Sequence, residues 1–575
     1  MAGGTDPQVG FASTIACTIG QRTRRSNRAR GVMETVLPVF PKFLPFMATA
    51  LALLIAAAVH TALTDESGAT RPYGAIVGLV GFISMALAFS KYTIDDTFIS
   101  LRFARNLADG HGLVFSTDGS PPVEGYTNFL WVVLEAPLTL LPTDAATLIG
   151  VKALGILAGC VTLVLLFLVA RELGQSVRTA TLAALLLASC AYFAFWSVGG
   201  LETPLYTALI MAAILRFLVE LRHGSYHVFS GLLFALAAMT RPEGILLAVV
   251  ILSLAPWLES RGIKPARSVA VGAATGLIGF LSLFGPYFVW RYITYGYLLP
   301  NTFYAKTDAS IFTWLPMRME QLEPLVVALL PFLFFAVVLA GSGHLARAGW
   351  RTVFLATGVV ALSSLAATRE WMPGYRYEVP ALPLLFLLAA SGLGLLLRDS
   401  RWAKSTAARA AAILILVAAL FTPMFTLRHN LAYTDQLAAA HVQLGLWLKE
   451  YAPEDSSYGS WDMGAVPYFS ELPSIVEIHP EGILSNEITH GIYDIDSMMA
   501  DFLVLGVDAG GTAGPQSFYR SAKFASDYEH LFSVMLRPDY QLVVHKRKSV
   551  PLSPDAIIAA RELEAETFAR WGETP

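Results

Sequence analysis

Apolar runs long enough to cross a bilayer recur between about residues 41 and 423, and no other feature limits the fold so strongly. Candidate spans are 43–64, 73–91, 147–170, 179–196, 203–221, 228–240, 244–257, 270–290, 323–341, 352–368, 379–397 and 408–426. With 55% apolar and only 14% charged residues, a soluble multidomain protein is excluded. The expected architecture is a polytopic α-helical membrane domain of about 11–12 transmembrane helices over 43–426, then a C-terminal soluble α/β domain over 427–575. Residues 1–42 read as a disordered tail with a basic cluster, Arg22 to Arg30, or as an extension upstream of a start at Met33 or Met47.

Loop charge assigns the sides. Arg171 with Arg178, Arg222 with His223 and His227, Arg261 with Lys264 and Arg267, Arg347 with Arg351, and Arg398, Arg401, Lys404 and Arg409 form short basic loops at alternate connections. The positive-inside rule makes these cytoplasmic. The opposite side then receives 92–146, 197–202, the turn at Arg241, 291–322, 369–378 and everything after about 427. That parity requires the apolar piece 127–141, too short for a span, to return to the side it left. Segment 43–64 does not fit, because its crossing would place the Arg22 to Arg30 cluster outside.

A net charge of −3 gives no basic field for nucleic acid. Cys17, Cys160 and Cys190 supply neither a disulfide framework nor a thiolate metal site. Past residue 424, strand-like runs at 502–507 and 540–544 lie between amphipathic helical stretches at 435–451 and 555–570.

The first long loop carries the densest chemistry. Asp95 and Asp96 stand at the mouth of a span before a helical run ending at Asp109-Gly110, where acids also suit a helix N-terminus. Arg102 and Arg105 are i,i+3 neighbours, and Arg102 lies two turns after Asp95. Arginines that hold a phosphate ester beside a proton-accepting carboxylate would support transfer from a phosphate-linked donor; a helix salt bridge uses the same residues.

The strings IDDTFISLRFARNLADGHGLVF and PVEGYTNFLW resemble the first external loop of bacterial GT-C glycosyltransferases close to the mycobacterial terminal arabinofuranosyltransferase family. GGLETPLYT, TRPEG, LLPNTFYAK, WMPGYRYEVPALP and DMGAVPYFSELP follow in the same order, so the likeness runs from about residue 91 to 486. The resemblance implies an inverting transfer from a polyprenyl-phosphate-linked sugar, arabinofuranose in that family, to a glycan or glycolipid acceptor. It places the enzyme in the bacterial plasma membrane, with its active site and C-terminal domain on the extracytoplasmic side. It makes Asp95 the general base and leaves Asp96 to hold acceptor or structure. It implies donor contacts at Arg102, Arg105, Arg241, Lys306, Tyr375 and Arg376, and acceptor contacts at Glu124, Tyr126, Asn128, Glu202, Asn301, Tyr304 and Asp462. After DMGAVPYFSELP, relatives commonly carry an Asp and a Gly-Leu pair where this chain has Glu477 and HPEGIL, a departure at the acceptor side.

Each of these positions also has a structural reading. Glu202 after Gly199-Gly200 suits a helix cap, with Pro204 in the first turn. Arg241 and Glu243 in TRPEG suit an internal pair fixing a turn. Asn301 and Tyr304 suit a membrane-interface belt, whereas Lys306 is a lone cation beside aromatics. Arg376 between Tyr375 and Tyr377, with Arg369, Glu370 and Glu378 nearby, suits a snorkelling anchor as well as a phosphate contact. The acidic pair leaves room for a divalent cation, Mg or Mn, while His479 and His490 lack zinc-site spacing. A transporter or lipid flippase would carry mid-membrane charges in matching halves, and no repeat is present. Another lipid-dependent transferase, such as a phosphoethanolamine transferase, would require a Thr nucleophile and a His/Asp metal cluster.

Overall fold

The computed structural model describes residues 42–575 apart from 64–72, 225, 261–264, 308–310, 366–369, 400–404, 480–481, 492–493, 497 and 509–515. The Arg22 to Arg30 cluster and Met33 lie outside the described residues, as do Arg261, Lys264, Arg369, Arg401 and Lys404. Among the described residues, eight helices are long and apolar enough to cross a membrane, and shorter apolar helices complete the bundle. In chain order the membrane part comprises α1 (Phe43–Leu63), α2 (Tyr73–Ala88), α3 (Asp96–Ala108), α4 (Phe129–Thr139), α5 (Asp144–Glu172), α6 (Val177–Ala188), α7 (Ala191–Trp196) and α8 (Thr203–His223). It continues with α9 (Val228–Thr240), α10 (Glu243–Ser260), α11 (Ala266–Tyr295), α12 (Asn301–Thr307), α13 (Ile311–Gly341), α14 (Trp350–Leu365), α15 (Leu382–Asp399) and α16 (Thr406–Phe421).

Local chemistry sets the ends. The hydroxyls of Thr143, Ser176 and Ser405 accept from Ala146 N, Thr179 N and Ala408 N at the starts of α5, α6 and α16. The span expected at 179–196 is two helices, α6 and α7, broken at Ser189-Cys190. Helix α4 has 11 residues, about 16 Å at 1.5 Å each, and cannot cross. Helix α6 forms the bundle centre, with every residue from Arg178 to Ala188 buried. Large apolar side chains such as Leu157, Ile278, Leu281 and Val337 point outward, as a lipid-facing surface requires. Small residues let α9 and α11 touch: a Cβ on Gly231 would lie 2.1 Å from Gly276 O.

Helix α1 lies antiparallel against α2, with Phe43 5.7 Å from Phe89 at one end and His60 6.1 Å from Tyr73 at the other. Segment 43–63 is therefore a full bundle helix, and Lys42 lies at the same end as the first long loop. Antiparallel alternation brings Asp96, Glu202, Arg241, Arg291 and Glu378 to that end too. Arg171, Arg222, Arg267 and Arg351 stand at the opposite helix ends.

Beyond α16 come α17 (Leu431–Leu437), a π-helical turn at Ala438–Val442 and α18 (Gln443–Tyr451). A five-stranded sheet follows, in order β2-β1-β3-β5-β4. Its strands are β1 (Ser457–Ser460), β2 (Ser474–Glu477), β3 (Phe502–Asp508), β4 (Tyr528–Arg537) and β5 (Tyr540–Arg547). Strand β1 is parallel to both β2 and β3; β5 is antiparallel to β3 and β4. Helix α19 (Ala465–Ser470) connects β1 to β2, and α20 (Pro554–Ala569) closes the chain. Trp447 packs on Phe502 and Phe532 and donates to Ala556 O at 3.1 Å, joining α18, the sheet and α20.

Candidate active site

Asp95 does not cap its own helix: no hydrogen bond joins its side chain to α3. Its carboxylate instead reaches the soluble domain, accepting from Ala465 N at 2.8 Å and Gly464 N at 3.1 Å, the start of α19. A Cβ on residue 464 would lie 2.3 Å from Asp95 Oδ2, so only glycine permits this contact. Burial pushes the Asp95 carboxyl above the usual carboxylate range, and Asp462 adds to the push; His441 and the two amides pull it back. Asp96, one residue on, is half-buried and turns toward two adjoining cavities.

Arg102 and Arg105 also turn to the soluble domain. Buried Arg102 donates to Phe115 O and Leu472 O, both at 2.7 Å, and to Pro467 O. Arg105 pairs with Asp144 at 2.6 Å and lies over the Tyr468 ring. This corrects the expectation that both arginines face a donor phosphate. A shared helix face with Asp95 does place them together, but the partners on that face are backbone carbonyls, Asp144 and Glu471. The same loop covers the exposed edge of β2: Thr117 N donates to Pro473 O at 2.8 Å, and Ile475 N to Ser116 Oγ at 3.2 Å.

The smaller cavity, about 340 Å³, lies between α3, the 125–128 segment, Leu201-Glu202, the Arg241 turn, Thr302-Phe303 and Arg376-Tyr377. Arg241 is buried, bound to Glu202 at 3.0 Å and Glu243 at 2.9 Å. Arg376 is bound to Glu370 at 3.1 Å, and its buried Nε has no hydrogen-bond partner among the described residues. Both guanidinium groups lie over Tyr377, at 4.8 and 5.0 Å from the ring centroid. Glu202 lines this cavity and makes no side-chain cap to α8, while the Arg241–Glu243 pair exists alongside it. Asn128 donates to Ser100 Oγ and Glu202, and Tyr126 lines the wall with its hydroxyl 2.9 Å from Tyr295.

The larger cavity, about 400 Å³, adjoins the first at Asp96, Arg376 and Tyr377 and is walled by the soluble domain, Asp462 included. Other expected contacts lie off both cavities. Glu124 forms a buried pair with Arg291, 2.6 Å between Oε2 and Nη2. Asn301 donates to Asn486 Oδ1, Tyr304 packs on His490, and Tyr375 packs edge-on against Tyr192. Glu124 and Asn301 thus have internal polar partners, and Tyr304 and Tyr375 internal ring contacts; Tyr377, not Tyr375, carries the arginine stack. The Lys306 side chain lies outside the described residues. A third cavity, about 360 Å³, sits at the opposite ends of the same helices, beside Glu172, Gly224 and Gly349. Among the described residues no group of three or more His, Cys, Asp or Glu is placed to hold a metal ion, and Asp95, Glu202 and Glu370 are engaged by amides or guanidinium groups.

Two groups escaped the sequence reading. Lys152, buried in α5, donates to Tyr92 O at 2.5 Å and Val198 O at 2.8 Å, joining the Asp96 segment to the Glu202 turn. A lone cation inside an apolar span was the available signal. His441 stands on the π-helical turn, 2.8 Å from Asp462.

Residues 144–290, from α5 to α11, match the family model of dolichyl-phosphate-mannose-protein mannosyltransferases. No curated protein matches the chain. Among solved structures, ArnT from Cupriavidus metallidurans in the apo state superposes with a TM-score of 0.52 at 14% identity, covering 81% of this chain and 97% of ArnT. ArnT bound to undecaprenyl phosphate gives 0.52 and 14%, with 82% and 98% covered. An Archaeoglobus fulgidus oligosaccharyltransferase tethered with an acceptor peptide gives 0.48 and 12%, with 85% and 77% covered. At this identity the ArnT likeness establishes the fold alone: a polytopic helical membrane domain with a sheet-containing C-terminal domain.

Proposed function

We propose that this protein is an inverting membrane glycosyltransferase that moves a sugar from a polyprenyl-phosphate donor to a hydroxyl of an envelope glycan or glycolipid. The observation that carries the reading is the smaller cavity, where Arg241 and Arg376 flank Tyr377 beside the Asp96 carboxylate. Guanidinium groups held by carboxylates stay oriented, and a phosphate leaving group gains charge-assisted hydrogen bonds from them as its ester bond breaks. The undecaprenyl phosphate in the ArnT complex supports a lipid-phosphate ligand at the level of shared fold. The first-loop resemblance favours arabinofuranose as the sugar and the extracytoplasmic side of a bacterial plasma membrane as the location.

In the proposed step the acceptor oxygen attacks the anomeric carbon. The bond from that carbon to the phosphate oxygen breaks with its electron pair on the phosphate, and the acceptor proton passes to a carboxylate. We assign that proton to Asp96, which faces both cavities, and give Asp95 the task of anchoring α19. This moves the base one residue along from the position the resemblance implies.

The test compares Asp96→Asn and Asp95→Asn in the full-length protein in nanodiscs. Asp96→Asn should slow single-turnover transfer by about 10²–10⁴-fold with undecaprenyl-phosphate affinity and thermal stability kept. Asp95→Asn should lower stability first. If Asp95→Asn kept its stability and lost turnover while Asp96→Asn stayed active, the assignments exchange; full activity in both would refute the mechanism.

A further inference from the structure

The third cavity, about 360 Å³, lies at the end of the bundle that bears the basic loops, and the transfer reaction has no use for it. It is enclosed by the ends of α5, α8 and α10, the starts of α9 and α11, and the Ala348-Gly349 turn before α14. Three carboxylates line it. Glu259 is occupied: it accepts from Gly349 N, Thr352 N and Thr352 Oγ1, all at 2.9 Å, and so caps α14. Glu172 and Glu220 are not filled in this way.

Glu220, 1% exposed, gives Oε1 to Arg216 Nε at 2.9 Å. Its Oε2 and the Nδ1 of buried His227 stand 3.6 Å apart, and neither atom has a hydrogen-bond partner among the described residues. Buried acceptors without a donor are costly, and a ligand that supplies N–H groups removes the cost. Glu172 meets Arg222 through Oε1 at 3.1 Å, and a carboxylate has about four lone-pair sites, so it accepts further donors. Around this acidic interior the sign of charge reverses. Arg222 lines the wall, Arg267 and Arg347 each precede a lining residue, and all three are exposed. Beside them the outer faces of α10 and α11 present exposed Leu254, Trp257 and Val271, of which the last two each adjoin a lining residue. Tryptophan at a span end is at home where headgroups meet acyl chains.

An acidic interior within a basic border, set at helix ends, matches a zwitterion that enters with its cation leading. We propose that this cavity seats the headgroup of a phospholipid bearing a primary ammonium, which donates to Glu220 and Glu172 while the phosphate lies among the border arginines. The acyl chains then run along Leu254, Trp257 and Val271. Charge and hydrogen bonding together select this class. A primary ammonium brings three N–H donors to the buried acceptors, a quaternary ammonium brings none, and a headgroup without a cation leaves the carboxylates unopposed. Such a lipid would tie together the ends of α5, α8, α9, α10 and α11. The proposal stands independently of the transferase reading.

The test titrates the full-length protein in detergent with phosphatidylethanolamine, phosphatidylcholine and phosphatidylglycerol of identical acyl chains, and reads retained lipid by native mass spectrometry. One phosphatidylethanolamine should be held at least about tenfold more tightly than either other lipid. Glu172→Gln and Glu220→Gln should each weaken it by about 10–100-fold, the range for hydrogen bonds to a charged group. Undecaprenyl-phosphate affinity, measured on the same samples, should match the wild type in both variants. Glycerophosphoethanolamine, which has the headgroup and no acyl chains, should compete at least about a hundredfold more weakly than the lipid, since it buries no apolar surface on α10 and α11. Equal competition would assign the cavity to a soluble ammonium ester and overturn the lipid. Equal retention of the three lipids, or unchanged phosphatidylethanolamine binding in both variants, would overturn the proposal as well. If Glu220→Gln does not fold, Glu172→Gln alone decides, because that side chain sits at the last residue of α5 and is partly exposed.

Discussion

Asp95 shows how a side chain at a helix mouth can act on a different helix from its own. Both its oxygens serve the start of α19, and Gly464 is the residue that lets them approach. Gly464→Ala would force a Cβ to within 2.3 Å of Asp95 Oδ2, and the overpacking should cost about 1–3 kcal/mol, measured as a lowered unfolding temperature in detergent. Glu477 offers a pH readout. Burial pushes its carboxyl up to about 7, against the pull of the Leu484, Ile483 and Ser485 amides. A carboxyl whose folded value is raised favours the protonated folded state, so its stabilisation is complete below the ordinary carboxylate range and is lost as pH rises through about 7. The unfolding temperature should therefore fall between pH 5 and 8 by several degrees more in the wild type than in Glu477→Gln, which keeps an acceptor for Leu484 N. The acidic pair, Arg241 and Arg376 were legible because charges beside apolar spans are costly and need a reason. The partners of Arg102 were not, since Pro467 O and Leu472 O come from the far end of the chain and carry no sequence signal.

Helix α3 and the loop behind it belong mechanically to the soluble domain as much as to the bundle. Arg102 reaches three carbonyls, and Ser116 and Thr117 hydrogen-bond to Ile475 and Pro473 at the β2 edge of the sheet. Replacing Arg102 by Met would leave Phe115 O, Pro467 O and Leu472 O buried without this donor, at about 1–3 kcal/mol each where no other donor or water replaces it. Hydrogen exchange should then quicken together at the Thr117 and Ile475 amides while the α6 amides stay protected. Unchanged exchange at those two would show that the seam does not depend on the guanidinium. At this scale hydropathy located the spans to within about five residues, because lipid demands apolar helices of a fixed length; the exception is α13, which begins at Ile311, twelve residues before the expected 323, inside the stretch expected as loop. The break between α6 and α7 escaped, since Ser189-Cys190 holds neither proline nor glycine. Strands β1 and β2 escaped as well: at four residues each they are too short for alternation to register.

On the scale of the molecule, the first loop, the Arg241 turn, the 370–378 segment and the soluble domain gather at one end of the bundle, and the described basic loops at the other. Cysteines placed at Ser120 and Ser526, both exposed, should react alike with a membrane-impermeant maleimide in intact cells, and one at exposed Tyr226 should not. A Tyr226 cysteine that reacted with the other two would refute the arrangement. The hairpin of α1 and α2 carries one more implication, for how the chain is handled. It returns Lys42 to the end that bears Lys91 and Asp435, so a reporter fused directly to Lys42 would begin beside the soluble domain. A fluorescent reporter that matures only in a reducing compartment would give the same signal fused before Lys42 or after Pro575. Antibody on whole spheroplasts should reach a purification tag at both positions or at neither.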